Sequence, residues 1–373
     1  MPENNSRMIN KIFMFSSVHR WDDTRIFHKE AISLAKRYTI ELHAPADFTF
    51  RELNNVKVVG LPLWEKVSDR KEIRKEIWDR IKKSDADIFH FHDPELIWIG
   101  IKIKFFKKKK VIYDVHENYS ETIKTKYWIP TSARYISFIL YRMIEVISEY
   151  IFDELILVID DHQRYFRKEH FIIKNFPILM HNDKKEQKIY DAIYLGSVSK
   201  ERGIFEIISA AQLLVQKNLN IKIAIIGPID SEIHSDIVKN IRDKQIDNNV
   251  ILYGEMEFRQ ALDYVNKSKI GLVTLLPHKN YLVSIATKMY EYMAFQIPII
   301  ASDFPSWRKI VSDTNCGICV NSKNPLEIAN AIQYLLDNEE KSKQMGMNGY
   351  YAVMHKYNWL NEEKKLFELY DNI

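Results

Sequence analysis

At about 150 residues per domain, a chain of 373 residues has room for two or three domains. Its 46% hydrophobic and 28% charged residues are ordinary for a globular protein with a core of normal size. Lys and Arg number 54 against 50 Asp and Glu, a net charge of +4 that is too balanced for a dedicated nucleic-acid binder. Two cysteines exclude a disulfide scaffold and a four-cysteine zinc site.

In chain order, short apolar runs alternate with amphipathic stretches. Strands are predicted at Lys11–Ser16, Thr39–His43, Val56–Gly60, Ile88–His92, Val111–Val115 and Glu154–Ile159, with helices at Arg25–Arg37 and Tyr135–Phe152. This is the signature of an α/β domain with a parallel sheet. Asn175-Phe176-Pro177 and the polar run His181–Lys188 read as a connector. A second series follows, with strands at Tyr190–Leu195, Ile221–Ile226, Val250–Tyr253, Ile270–Thr274 and Ile297–Ala301. Tyr357–Ile373 reads as a terminal amphipathic helix. Two doubly wound domains are expected, with ligands outside the carboxyl ends of their strands.

No run reaches about 18 uncharged apolar residues; Tyr135–Ile159 comes nearest, but Arg142, Glu145, Glu149, Asp153 and Glu154 interrupt it. With no targeting segment legible, the expected location is the cytoplasm. Lys102, Lys104 and Lys107–Lys110, interleaved with Phe105 and Phe106, form a basic aromatic patch. It reads as a solvated helix end or as a peripheral contact with an anionic membrane. The helix Tyr135–Phe152 is expected to be a core helix rather than one lying on a membrane.

Strand ends carry the candidate chemistry. Ser16-Ser17-Val18-His19-Arg20-Trp21-Asp22-Asp23-Thr24-Arg25 follows the first strand, and one of its aspartates is expected to cap the helix. His92, Asp93 and Glu95 follow another strand, and His116 and Glu117 a third. His90, two residues inside its strand, reads as a core histidine; with no clear third ligand beside His90 and His92, no metal site is expected. In the second half, Gly196-Ser197-Val198-Ser199-Lys200-Glu201-Arg202-Gly203 joins a strand to a helix with small residues and cations, which suits a diphosphate. Lys288 and Glu291 share a helix face. They are either a surface ion pair or, respectively, a phosphate and a ribose contact. Asp85-Ala86-Asp87 reads as a turn, and Cys316-Gly317-Ile318-Cys319 as the start of a strand.

Six motifs together resemble a family 4 glycosyltransferase of the GT-B fold over nearly all of residues 11–373. They are Asp-Asp-Thr-Arg-Ile-Phe at 22–27, His-Asp-Pro-Glu-Leu at 92–96, Tyr-Asp-Val-His-Glu-Asn at 113–118, Leu-Gly-Ser-Val-Ser-Lys-Glu-Arg-Gly at 195–203, Thr-Lys-Met-Tyr-Glu-Tyr-Met-Ala at 287–294 and Pro-Ile-Ile-Ala-Ser-Asp-Phe-Pro at 298–305. The resemblance implies two Rossmann-like domains: an acceptor-binding one over 1–177 and a nucleotide-sugar-binding one over 178–355. It also implies a C-terminal helix, 356–373, packing back on the first. It implies transfer of a sugar from a nucleotide-diphosphate donor with retention, extending a glycan or lipid-linked acceptor in surface polysaccharide biosynthesis, without a metal or other cofactor.

By that resemblance His116, Arg202 and Glu291 carry catalysis. The donor meets Gly196, Ser197, Arg202, Gly227, Gly254, Ser284, Thr287, Lys288 and Glu291. The acceptor meets His19, Asp23, Arg25, His92, Asp93, Glu95 and Glu117. Three positions depart from the family: Ser197 replaces a cation, Val283 an acid and Ala286 a proline. A sugar-nucleotide epimerase of the same fold and a non-catalytic partner subunit of a transferase stay open as alternatives.

Overall fold

The computed structural model describes residues 10–116, 119–125, 130–179, 186–278, 281–282 and 284–373. It divides into two units, Met1–Asn175 with Trp359–Ile373, and Phe176–Asn358.

The first unit holds an eight-stranded sheet in the order β3-β4-β2-β1-β5-β6-β7-β8. The strands are β1 (Lys11–Phe15), β2 (Thr39–Pro45), β3 (Phe50–Leu53), β4 (Val56–Leu61), β5 (Ile88–Phe91), β6 (Lys110–Val115), β7 (Glu154–Leu157) and β8 (Phe171–Ile172). All neighbours are parallel except β3 and β4, an antiparallel hairpin. Its turn residues Asn54 and Asn55 both have positive φ (51° and 63°), the backbone twist a two-residue hairpin demands.

Both faces of this sheet are covered, so its strands read as continuous apolar runs. Alternate side chains feed two cores. Ile12 and Met14 of β1 pack on one face with Ile40, Ile88 and Ile112. Phe13 and Phe15 pack on the other with Phe89, Phe91 and the helix residues Ile73, Ile77 and Ile81. The helix Trp359–Asp371 belongs to the first face through Trp359, Leu366, Leu369 and Tyr370. Its indole N–H donates to Ser33 Oγ (2.8 Å), and Tyr370 Oη meets His90 Nδ1 at 2.8 Å. His90 is thus the expected core histidine.

The helix expected over Arg25–Arg37 takes another form. Residues Ile26–Ala31 form a π-helical turn, continued by a short α-turn at Ile32–Leu34. Asp23 caps it, its Oδ1 accepting from the Arg25 and Ile26 N–H groups (2.8 and 2.9 Å). The wider turn brings residues five apart onto one side. Arg25 Nη2 lies 2.9 Å from Glu30 Oε1, five residues on.

The second unit holds a six-stranded parallel sheet in the order β11-β10-β9-β12-β13-β14. Its strands are β9 (Tyr190–Leu195), β10 (Ile223–Ile226), β11 (Val250–Gly254), β12 (Ser268–Val273), β13 (Ile299–Ser302) and β14 (Gly317–Val320). Alternation again builds two cores, Ile193 and Ala224 facing one and Tyr194 and Ile223 the other. Among the parallel strands, the order reverses between β1 and β5 in the first sheet and between β9 and β12 in the second. Such switch points are where open α/β sheets receive ligands.

Candidate functional sites

In the first unit, the loops after β1, β5 and β6 meet at the switch point and line a pocket of about 610 Å³. His19, Asp23, Arg25, His92, Asp93, Glu95 and His116 all border it. Glu117 lies outside the described residues.

Asp93 holds the loop after β1 in shape. Its buried Oδ2 accepts from the backbone N–H groups of Ser17 (2.6 Å) and Val18 (3.2 Å) and from the Ser16 hydroxyl (2.7 Å). Glu95 accepts from the Ser17 hydroxyl (2.7 Å) and pairs with Arg74 (3.1 Å) and Arg70 (3.6 Å). His19 bridges Asp23 (3.3 Å) and Asp93 (3.5 Å). Burial disfavours its charge, but the Asp23 bond and the Asp93 charge outweigh this, and its pKa is raised. Asp23 is itself held well below the usual carboxylate range: burial opposes this, and the His19 and Ile26 bonds prevail.

A fully buried charge network lies beneath. Asp114 accepts from Arg25 Nε (2.8 Å) and Nη2 (3.1 Å). Burial pushes the Asp114 pKa up, yet the Arg25 charge and the neighbouring histidines hold it well below the carboxylate range. Burial raises that of Glu30 well above its ordinary value, and the Asp114 charge adds to the rise against the pull of Arg25. An ionised Asp114 can only accept. His116 Nε2, 3.0 Å away, must therefore carry the hydrogen of their bond. Burial pushes His92 down to about 4, so it is neutral near pH 7.

Arg25 and Asp93, expected on the acceptor side, thus spend their polar groups inside the protein. They shape the pocket; His19, Asp23, Glu95 and His116 retain exposed surface on it. Sequence reasoning assigned no role to Glu30, Asp114, Arg70 or Arg74. A charged residue within the apolar strand Val111–Val115 was the available signal for Asp114. Glu30, His90, His92 and Asp114 bring one ligand atom each to within 4.8 Å of one another. Arg25 already supplies a cation to both carboxylates.

The second unit gathers its candidates at the β9/β12 switch point. Gly196, after β9, has φ +119° and its N–H donates to the Ile226 carbonyl (2.8 Å). Gly227, after β10, has φ +139°, and a Cβ there would lie 2.2 Å from the Gly196 carbonyl oxygen. Both positions require glycine. Gly254 also has positive φ (71°), with open space where a Cβ would point. Ser197 is exposed, its carbonyl accepting from the Tyr194 hydroxyl (2.8 Å). The Ser284 carbonyl accepts from the Trp307 indole (2.7 Å), and Thr287 is exposed at the helix start. Val283 lies outside the described residues.

Lys288 is the unusual group. It is 6% exposed, and its Nζ has no hydrogen-bond partner among the described residues. The ammonium sits 3.7 Å over the Tyr194 ring and 3.2 Å from where a Gly196 Cβ would be. Burial, and then the nearby Arg202 charge, pushes its pKa down to about 7; Glu291 pulls weakly the other way. Lys288 is therefore not the surface half of an ion pair. A buried cation beside a second cation and a glycine loop suits an anionic ligand.

Residues 177–351 match the family model described as glycosyl transferases group 1. An uncharacterized glycosyltransferase of Methanocaldococcus jannaschii is 24% identical, covering 90% of this chain and 91% of its own length. The capsular polysaccharide biosynthesis glycosyltransferase CapM of Staphylococcus aureus is 22% identical over 47% of this chain and 46% of its own. The Anabaena protein HepE, solved in complex with UDP, shares the fold with a TM-score of 0.74 at 12% identity, over 98% of this chain and 100% of its own. The family model lies within the second unit, and the likeness to HepE shows a shared two-unit α/β fold.

Proposed function

We propose that the protein is a retaining glycosyltransferase that moves a sugar from a nucleotide diphosphate to a glycan or lipid-linked acceptor in surface polysaccharide biosynthesis. The observation that carries the reading is Lys288, a buried ammonium with no hydrogen-bond partner among the described residues, next to Arg202 at the carboxyl end of β9. A departing diphosphate gains negative charge as the bond to the sugar breaks. Cations fixed in a low-dielectric site lower that barrier without having to reorganise. Lys288 and Arg202 would supply this charge, so no metal is required. Gly196 and Gly227 let the backbone approach the phosphates, and Glu291 would accept from ribose hydroxyls.

In the first unit, His116 would meet the reacting sugar. His19, Asp23 and Glu95 would receive the acceptor, with Arg25, His92 and Asp93 behind them. The likeness to HepE with UDP supports a nucleotide donor, and that to CapM supports polysaccharide synthesis.

Thermal unfolding against UDP, GDP, ADP, CDP and TDP tests the donor site. A nucleotide at 100 times its dissociation constant adds about 2.7 kcal/mol, a shift of roughly 5–10 °C for a domain of this size. One base should give that shift, and Lys288→Ala and Arg202→Ala should each remove it. No shift with any nucleotide would refute the donor reading. Transfer with the matching sugar nucleotide should survive EDTA and give a product with the donor's anomeric configuration.

A further inference from the structure

One face of the first sheet is apolar except at a single place. Ile12, Met14, Ile88 and Ile112 line that face, which also carries the helix Trp359–Asp371. Residues two apart on a strand share a face. His90 and His92 therefore follow Ile88 into this core, and Asp114 follows Ile112. Glu30 reaches the same place from the π-turn Ile26–Ala31. All four side chains are buried, His92 at 1% exposure and the others at 0%. Each brings a ligand atom to within 4.8 Å of the other three.

Two carboxylates and two imidazoles among isoleucines need partners. Arg25 is a single cation for both carboxylates, meeting Glu30 at Oε1 (2.9 Å) and Asp114 at Oδ2 (2.8 Å). His90 Nε2 is buried with no hydrogen-bond partner among the described residues. Glu30 Oε2 lies 4.0 Å from it, beyond hydrogen-bond reach. His92 Nδ1 lies 3.8 Å from Glu30 Oε2 and 3.4 Å from Asp114 Oδ2, with His116 Nε2 at 3.3 Å as its hydrogen-bond neighbour. Ligands about 2.1 Å from a tetrahedral zinc ion stand about 3.4 Å from one another. The separations within the cluster are close to that spacing and too wide for good hydrogen bonds. His90 also has an outer contact, Tyr370 Oη at 2.8 Å from Nδ1. With Nδ1 donating to that oxygen, Nε2 presents a lone pair to the cluster. Such an outer bond is the usual companion of a metal-bound imidazole.

We infer that Glu30, His90, His92 and Asp114 form a structural site for a divalent transition-metal ion of the zinc type. Two imidazoles with two carboxylates suit zinc, whereas calcium and magnesium take oxygen ligands. The ion ties the π-turn to β5 and β6 beneath the pocket wall, and it loads as the unit folds. The sequence pattern around His90 and His92 offers no third ligand because Glu30 and Asp114 come from other elements. The site needs neither donor nor acceptor, so the inference stands apart from the transfer reading.

The test is metal retention by the full chain. Protein unfolded, stripped with EDTA and refolded with an equivalent of zinc should keep that zinc through gel filtration, read by atomic emission. Glu30→Gln and His90→Gln should each lower the affinity by about a hundred-fold, and Tyr370→Phe, which removes the outer contact on His90, by roughly ten-fold. His19→Asn, at a pocket histidine outside the cluster, should retain the ion. Where the core variants do not refold, wild type refolded with cobalt decides. The visible bands of a nitrogen–oxygen site are expected, and the spectrum of aquated cobalt would overturn the proposal. So would a wild type that holds no zinc. Zinc that survives Glu30→Gln and His90→Gln, or is lost with His19→Asn, would also overturn it and mark an adventitious ion only.

Discussion

The two units place their polar residues at the same point of the topology, yet satisfy them in opposite ways. At the β1/β5 switch point the charges are closed upon one another. Arg25 serves Asp114 and Glu30, Asp93 serves the backbone of its neighbouring loop, and His19 bridges two carboxylates. At the β9/β12 switch point the central charge is open: Lys288 is buried with Arg202 as its nearest named cation and no hydrogen-bond partner among the described residues. A closed network makes a shaped wall that is ready before anything binds. A buried cation without a paired group costs stability, and an anion bound beside it would offset that cost.

Removing the central cation from each network breaks the comparison most sharply. Arg25→Met should destabilise the first unit by about 3–5 kcal/mol, since Asp114 is left buried and uncompensated. Urea or thermal unfolding reads this directly. Lys288→Met should do the reverse and stabilise the ligand-free protein, on the order of 1–3 kcal/mol at pH 7. The sign follows from its pKa of about 7, below the ordinary lysine value. Between pH 7 and the lysine range the unfolded chain binds the extra proton, so wild-type stability rises with pH. The gain from Lys288→Met should be full below pH 7 and vanish near pH 10.5.

Gly227→Ala sharpens the donor side. A Cβ 2.2 Å from the Gly196 carbonyl oxygen, at φ +139°, forces the loop to shift. Nucleotide affinity should fall by about ten-fold or more, from strain on the order of 1–3 kcal/mol, by calorimetric titration. The smallest effect belongs to His19. Its raised pKa means that it contributes stability below its ordinary value, which is lost as pH rises through the raised one. His19→Asn should flatten that part of the pH–stability curve.

The sheets were legible because strands buried on both faces read as apolar runs, and the strand ends stood out because polar residues interrupt those runs. The exposed edge strand Phe50–Leu53 has no such run and was missed. The π-turn was read as an ordinary helix because its apolar spacing over six residues does not separate the two. Partners far apart in the chain were equally hidden: Arg25 and Asp114 are separated by 89 residues. Lys288 looked like half of an i,i+3 pair, and only the packing of Tyr194 and Gly196 around it shows that its ammonium is enclosed.

The most direct test of the central claim is the number of protons taken up when the matching nucleoside diphosphate binds. It is measured calorimetrically at pH 8 in buffers of different ionisation enthalpy. Lys288 is mostly neutral there in the empty protein, so binding should draw in a proton, affinity should fall as pH rises above 7, and Lys288→Arg should abolish both effects. Tight binding by the wild type without proton uptake would contradict the account, because the anion would then be held by charges other than Lys288.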